Sequence, residues 1–232
     1  NALFGIAGFA GGIGFGTIFL KKGYSLQRTY ALSKLESAMM PAIQVGLLVL
    51  VVTAPAFIFF SQKGPGAMHA PWLISLAAGL VVGGLAQFSR LCTVGGFRDL
   101  FLFKKSILIF GYLAVLIGVF VVNISFGNFH LGFENQPIAH TDGLWNFLGM
   151  ALAGFCSVLL GGCPLRQLIM TGEGNSDSAV TVLGLAAGAA FAHNFGLAAT
   201  GAGPTLNGEI AVVVGFIVAL IIAVVNTKRA NA

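Results

Sequence analysis

The sequence predicts an all-α integral membrane protein, built as a polytopic bundle of helices. Of its 232 residues, 57% are hydrophobic and only 8% are charged, whereas a soluble domain is about 25% charged. Its 33 glycines agree with this class, because glycine is more frequent in membrane helices than in soluble ones. Several charge-free stretches also approach the roughly 20 residues that a helix needs to cross a bilayer. A water-soluble enzyme, a disordered tail and a nucleic-acid-binding protein are therefore excluded.

Seven charge-free stretches are the predicted spans of one transmembrane domain that covers residues 1–232. They are Ala2–Leu20, Ala38–Phe60, Trp72–Phe88, Ser106–Phe126, Leu144–Leu160, Ala179–Ala199 and Ile210–Val225. Their backbone groups must bond to one another in lipid, and the absence of polar–apolar alternation favours helices over strands. The third, fifth and seventh stretches are short, at about 25 Å of helix. A short stretch either spans a thin bilayer or forms half of a re-entrant hairpin.

The basic residues predict the orientation of the chain. If the spans alternate in direction, every Lys and Arg except Lys63 falls on one side of the membrane. Cytoplasmic loops carry an excess of Lys and Arg, so the C-terminus is expected in the cytoplasm. The net charge of +5 is then explained by orientation. It gives no reason to expect a nucleic acid or another polyanion as a partner.

Two segments at the ends of short spans combine glycine, cysteine and arginine. The candidate pathway residues are Arg90, Cys92 and Arg98 in the first segment, and Gly161, Gly162, Cys163, Arg166 and Gln167 in the second. Aligning the two cysteines superimposes Gly83 on Gly154 and Ala86 on Ser157. This match predicts half-repeats at roughly 72–126 and 144–199. Interrupted helices in internal repeats are typical of transporters, and the interruptions indicate the substrate site.

The chemistry of these segments suits a soft anion. A broken helix exposes unpaired backbone N–H groups, and a helix N-terminus presents partial positive charge. Arginine adds a permanent cationic fork, and thiols are weak, polarizable donors that suit sulfur or selenium. The alternative is that the cysteines are small buried apolar residues and the arginines mark cytoplasmic helix ends. Arg98, beside Asp99, is interpreted first as such an anchor and second as a gate.

The remaining polar candidates are fewer. His193 and Asn194 lie inside an apolar span, where polar residues brace helices or line a pathway. Cys156 is interpreted mainly as a packing residue. The chain contains no Cys-x-x-Cys pair, no haem-attachment motif and no nucleotide fingerprint, so neither a cofactor nor a metal site is predicted. We accordingly do not expect an enzyme.

Several stretches resemble the YeeE/YedE family of sulfur-compound transporters. They are Arg90-Leu91-Cys92, Phe97-Arg98-Asp99, GGCPLRQ at 161–167, GEGN at 172–175, PIAHTDGLW at 137–145 and AHNFG at 192–196. The last two are closest to the YedE-type branch, which is associated with selenium transport. The resemblance implies a bacterial inner-membrane protein with an internal duplication, in which short hairpins meet near the membrane centre. It also implies that Cys92 and Cys163 line the substrate route and that a cytoplasmic sulfurtransferase is a possible acceptor.

Relatives in this family carry further cysteine-bearing elements in an N-terminal repeat. The chain is therefore expected to correspond to the C-terminal portion of a longer transporter. The predicted function is a transporter or channel for a small sulfur- or selenium-containing anion. The alternative is a membrane thiol-disulfide oxidoreductase that uses Cys92 and Cys163 and requires an electron acceptor.

Overall fold

The computed structural model describes residues 2–26, 33–57, 70–132 and 140–230. Within these ranges the chain forms helices and no strand, which confirms the all-α prediction. The helices are α1 (Ala2–Lys21), α2 (Lys34–Thr53), α3 (Trp72–Ser89), α4 (Thr93–Phe103), α5 (Ile107–Ser125), α6 (Gly143–Leu159), α7 (Pro164–Gly172), α8 (Ser176–Asn194) and α9 (Leu206–Ala230).

Five of the described helical segments are long and apolar enough to cross a membrane. They are Ala2–Lys21, Trp72–Phe103, Ile107–Ser125, Gly143–Gly172 and Leu206–Thr227. Two of the five are interrupted, because α3 breaks before α4 and α6 breaks before α7. The end of the predicted second span, residues 58–60, lies outside the described residues. The chain is a multi-pass membrane protein.

The closest helix packing joins α1 to α6. Gly8, Gly12 and Gly16 recur every four residues of α1 and lie on one buried face. A Cβ atom added at Gly12 would overlap the backbone carbonyl of Ala151, and one at Gly8 would overlap that of Phe147. Small residues at this spacing let membrane helices approach until their backbones touch. Helix α1 therefore packs directly against the backbone of α6.

Two apolar clusters surround this contact. The first consists of Ile13, Cys92, Val94, Val158 and Cys163, with Phe9 and Phe97 packed against it. The second consists of Tyr24, Phe155, Leu159, Ala219 and Ala223, and it joins the end of α1 to α6 and α9. The first cluster contains both predicted pathway cysteines, so the centre of the bundle coincides with the two helix breaks.

A hydrogen bond from Tyr24 links the end of α1 to the end of α6. Its buried hydroxyl donates a hydrogen bond to the carbonyl of Leu159 at 3.3 Å. Burial, with a smaller contribution from the neighbouring Cys156 thiol, raises the pKa of the phenol. The phenol therefore remains a protonated donor throughout the physiological pH range.

Removing the Tyr24–Leu159 hydrogen bond should lower the stability of the protein modestly. Tyr24→Phe keeps the ring and leaves the Leu159 carbonyl without its side-chain donor, so we expect a loss of about 1 kcal/mol in the free energy of unfolding. Chemical unfolding in detergent measures it. Tyr112→Phe is the control, because the Tyr112 ring packs on Phe97 and its hydroxyl has no hydrogen-bond partner among the described residues. Equal losses in both variants would contradict the assignment.

Candidate functional site

The two helix breaks have the same hydrogen-bond pattern. After α3, the Leu91 N–H donates to the Ala86 carbonyl at 3.1 Å. After α6, the Gly162 N–H donates to the Ser157 carbonyl at 3.0 Å. These partners are the ones that the alignment of the two cysteines superimposes. Each bond turns the chain back across the end of its helix, in the manner of a Schellman motif.

The backbone at the centre of each break is left-handed. Arg90 has φ of +51° and Gly161 has φ of +82°. Glycine adopts this region freely, whereas another residue loses about 1–2 kcal/mol there. The Arg90 backbone thus takes a conformation that its counterpart Gly161 takes without cost. In both breaks a cysteine follows the left-handed residue by two positions.

Cys92 caps the N-terminus of α4. Its backbone is extended, and its sulfur accepts a hydrogen bond from the Gly95 N–H at 3.2 Å. The side chain is 8% exposed. Gly95 is also tightly packed, since an added Cβ would lie 3.2 Å from Leu108 and 3.3 Å from the Cys92 Cβ. The thiol is therefore both buried and held in position by the helix that it caps.

Cys163 has the matching position at the N-terminus of α7. Pro164 follows it as the first helical residue, where proline suits a helix start. Cys163 is 3% exposed, and it adjoins Cys92 in the first apolar cluster. Both cysteines are free. The two breaks thus bring two buried thiols together, although the residues are far apart in sequence.

The surroundings of this thiol pair are electropositive. The Thr93 amide and hydroxyl and the Arg166 amide all lie close to the Cys163 sulfur. Thr93 begins α4, and Arg166 lies in the first turn of α7. Two helix N-termini therefore converge on the pair, and each carries a partial positive charge. This arrangement can stabilise an anion, and its two sulfur atoms offer soft contacts.

The side chains that follow Cys163 point to two different places. Gln167 is 4% exposed, and its amide donates to the Leu160 carbonyl at 3.0 Å, which braces the turn at Gly161 and Gly162. Arg166 reaches toward α3 and donates to the Gln87 side-chain oxygen at 3.0 Å. Gln167 therefore shapes the break, whereas Arg166 links the two interrupted helices.

Comparison with protein families decides the identity of the chain. The family described as sulphur transport matches residues 88–231, a segment that contains both breaks. The chain belongs to this sulphur transport family. The YeeE/YedE resemblance is thereby confirmed. No match was found among curated proteins or solved structures.

In this member of the sulphur transport family, the remaining predicted site residues are exposed or are bonded to neighbours other than the two thiols. Arg90 is exposed at the end of α3, and Arg98 forms an ion pair with Asp99 at 2.9 Å. His193 and Asn194 are exposed at the C-terminal end of α8, about 27 Å along that helix from its start. Asn194 donates to the Ala190 carbonyl one turn earlier, at 2.8 Å.

Cys156 belongs to a different environment from the other two cysteines. It packs at the edge of the second apolar cluster and lines an open groove between α8 and α9. Its thiol is half-buried and free. Among the described residues, no group of three His, Cys, Asp or Glu side chains is placed to hold a metal ion.

Three polar residues near the site were not selected from the sequence. Thr93 lies beside the Cys163 sulfur, and Gln87 and Glu173 both contact Arg166. Glu173 follows Arg166 by seven residues, which places it two turns later on the same helical face. That spacing indicates, from the sequence alone, that Arg166 and Glu173 can form an ion pair. Gln87 reaches Arg166 because α3 packs against α7. The spacing of residues in the sequence does not reveal that packing.

Proposed function

We propose that this member of the sulphur transport family carries a small sulfur- or selenium-containing anion across the bacterial inner membrane, along a path through Cys92 and Cys163. The observation that supports the proposal is the pair of buried thiols, which adjoin each other where the N-termini of α4 and α7 converge. Thiosulfate is our model substrate, since its terminal sulfur is soft and its oxygens carry charge.

The chemistry favours passage over tight capture. Each thiol donates one weak S–H bond, which offsets part of the lost hydration without holding the anion strongly. The helix N-termini supply partial charges whose interaction with an anion is individually modest. A path needs binding that is favourable enough for entry and weak enough for exit. Lysine or arginine in place of the cysteines would trap the anion.

We further propose that residues 72–126 and 144–199 are half-repeats within one transmembrane domain, 1–232. The matched turns at the two breaks and the matched cysteine caps support this duplication. The skewed distribution of basic residues supports a cytoplasmic C-terminus. The transported sulfur would then be delivered where a cytoplasmic sulfurtransferase can receive it.

Uptake in cells tests the proposal. Cells lacking their own sulfur importers, with and without the expressed chain, are given ³⁵S-thiosulfate, ³⁵S-sulfate or ⁷⁵Se-selenite in separate assays. We expect expression to raise entry of thiosulfate or selenite above that of sulfate, which lacks a soft atom. Equal entry of all three species would contradict the role of the thiols, and entry of none would contradict transport by this chain.

A second candidate function is a membrane thiol-disulfide oxidoreductase. The contact between the two free thiols favours it, since such a pair is placed to form a disulfide. Oxidation would form one S–S bond and release two electrons and two protons, which a two-electron acceptor must take up. Alkylating the thiols during uptake and then mapping them by mass spectrometry separates the functions. Transport requires both thiols to remain free in active protein, whereas the redox cycle requires a disulfide fraction that changes with the acceptor.

A further inference from the structure

We propose that Glu173 is an internal counter-anion, which occupies Arg166 in the resting protein and must be displaced by the transported anion. This inference rests on the proposed function and deepens it. It makes Glu173 and Gln87, together with Arg166, the residues that set anion affinity and selectivity on the approach to the thiol pair.

Three side chains form a closed ring, which we call the latch. Gln87, in the last turn of α3, donates through its amide to Glu173 Oε1. The Arg166 guanidinium donates to the Gln87 carbonyl oxygen at 3.0 Å and lies 3.8 Å from Glu173 Oε2. Each member of the latch therefore contacts the other two. The charges of Arg166 and Glu173 cancel, so the latch is neutral at rest.

The arginine is held loosely enough to exchange partners. A carboxylate that engages arginine fully forms two parallel bonds of about 2.7–2.9 Å. In the latch, the Arg166–Glu173 separation is 3.8 Å, and the glutamate accepts a hydrogen bond from Gln87. Among the described residues, Gln87 accepts a hydrogen bond from one of the five guanidinium N–H donors, and most of the others are available for an oxyanion. A bidentate oxyanion thus offers Arg166 a better partner than Glu173 does.

The position of Arg166 couples the latch to the thiol pair. Its backbone amide lies beside the Cys163 sulfur, whereas its side chain extends to the latch. Arg166 and Glu173 lie at opposite ends of α7, on one face of the helix. An anion bound at the Arg166 guanidinium therefore lies one arginine side chain away from the thiol pair, and it repels Glu173. The displaced glutamate keeps its bond to Gln87, which retains it near α3 and ready to return.

The latch also provides selectivity among small anions. Glu173 competes as a single negative charge, so a divalent oxyanion gains more than a monovalent one by replacing it at Arg166. Chloride, which cannot form two parallel bonds, should displace Glu173 poorly. The ring therefore excludes the most abundant small anion without requiring a narrow pore.

The test removes the competing charge. Glu173→Gln keeps the size of the side chain, and we expect the KM for thiosulfate uptake to fall by about two- to fivefold, which is the range for a partly exposed ion pair. Asp177→Asn is the matched control, because it removes the same charge from the exposed start of α8, outside the latch. Its KM should stay unchanged. An unchanged or higher KM in Glu173→Gln would overturn the proposal.

A second measurement does not depend on transport. Purified protein is treated with phenylglyoxal, and labelling of Arg166 is followed by mass spectrometry with and without thiosulfate. We expect faster labelling in Glu173→Gln than in the wild type, and protection by thiosulfate at a lower concentration. Equal labelling rates would overturn the latch. If the wild-type chain imports no sulfur species, the proposed function fails, and the protection measurement still decides the competition at Arg166.

Discussion

Gly12→Ala should destabilise the bundle more than any other single methyl addition in α1. The added Cβ would overlap the backbone carbonyl of Ala151, so α1 and α6 must separate or tilt. No rotamer change in α6 relieves this contact, because the obstructing atom belongs to the backbone. We expect a loss of about 3 kcal/mol, at the upper end of overpacking costs, and a sharp fall in folded protein.

Thermal unfolding in detergent and the yield of monodisperse protein measure this effect. Gly118→Ala in α5 is the matched control, since a Cβ there meets no described atom within 4 Å. That variant should unfold at the wild-type temperature or slightly above it, because alanine favours a helix over glycine. If Gly12→Ala behaves like Gly118→Ala, α1 is not seated on α6 in the folded protein.

Cys92→Ala and Cys163→Ala should each reduce thiosulfate uptake by at least about tenfold, which corresponds to about 1.4 kcal/mol in the barrier. Each substitution removes one of two adjoining sulfur contacts from the proposed path, and the remaining helix N-termini cannot replace a soft donor. Cys→Ser variants at the same positions separate softness from hydrogen bonding, because serine donates and accepts more strongly but is less polarizable. Serine should restore little of the uptake.

Cys156→Ala is the control for both cysteine variants. Cys156 lies on α6, is half-buried and belongs to the second apolar cluster, away from the thiol pair. Its removal should leave uptake unchanged while causing a packing loss similar to that of the other two. Membrane insertion of all three variants is checked by fluorescence size-exclusion chromatography. Normal uptake in well-folded Cys92→Ala and Cys163→Ala would refute the proposed path.

Local sequence patterns predicted the helix breaks accurately. The alignment of Cys92 with Cys163 also aligned Ala86 with Ser157, and both of these residues accept the bond that ends the helix. Such turns depend on a few neighbouring residues and on backbone sterics, so they are visible in a short stretch of sequence. The contact between α1 and α6 was harder to predict from the sequence. The spacing of Gly8, Gly12 and Gly16 indicates a face for close packing, but it does not identify α6 as the partner.

By itself the sequence determined the membrane class, the helical architecture and the sulphur transport family. These follow from composition, from the need to pair backbone groups in lipid and from local motifs. Only the tertiary structure decided which side chains meet. It placed Cys92 against Cys163, and it directed Arg166 away from the thiols to Gln87 and Glu173. Helices of similar apolarity can pack against one another in many ways in a bilayer. Which helices become partners depends on the close fit of their side chains and backbones, and the sequence of one helix alone does not determine that fit.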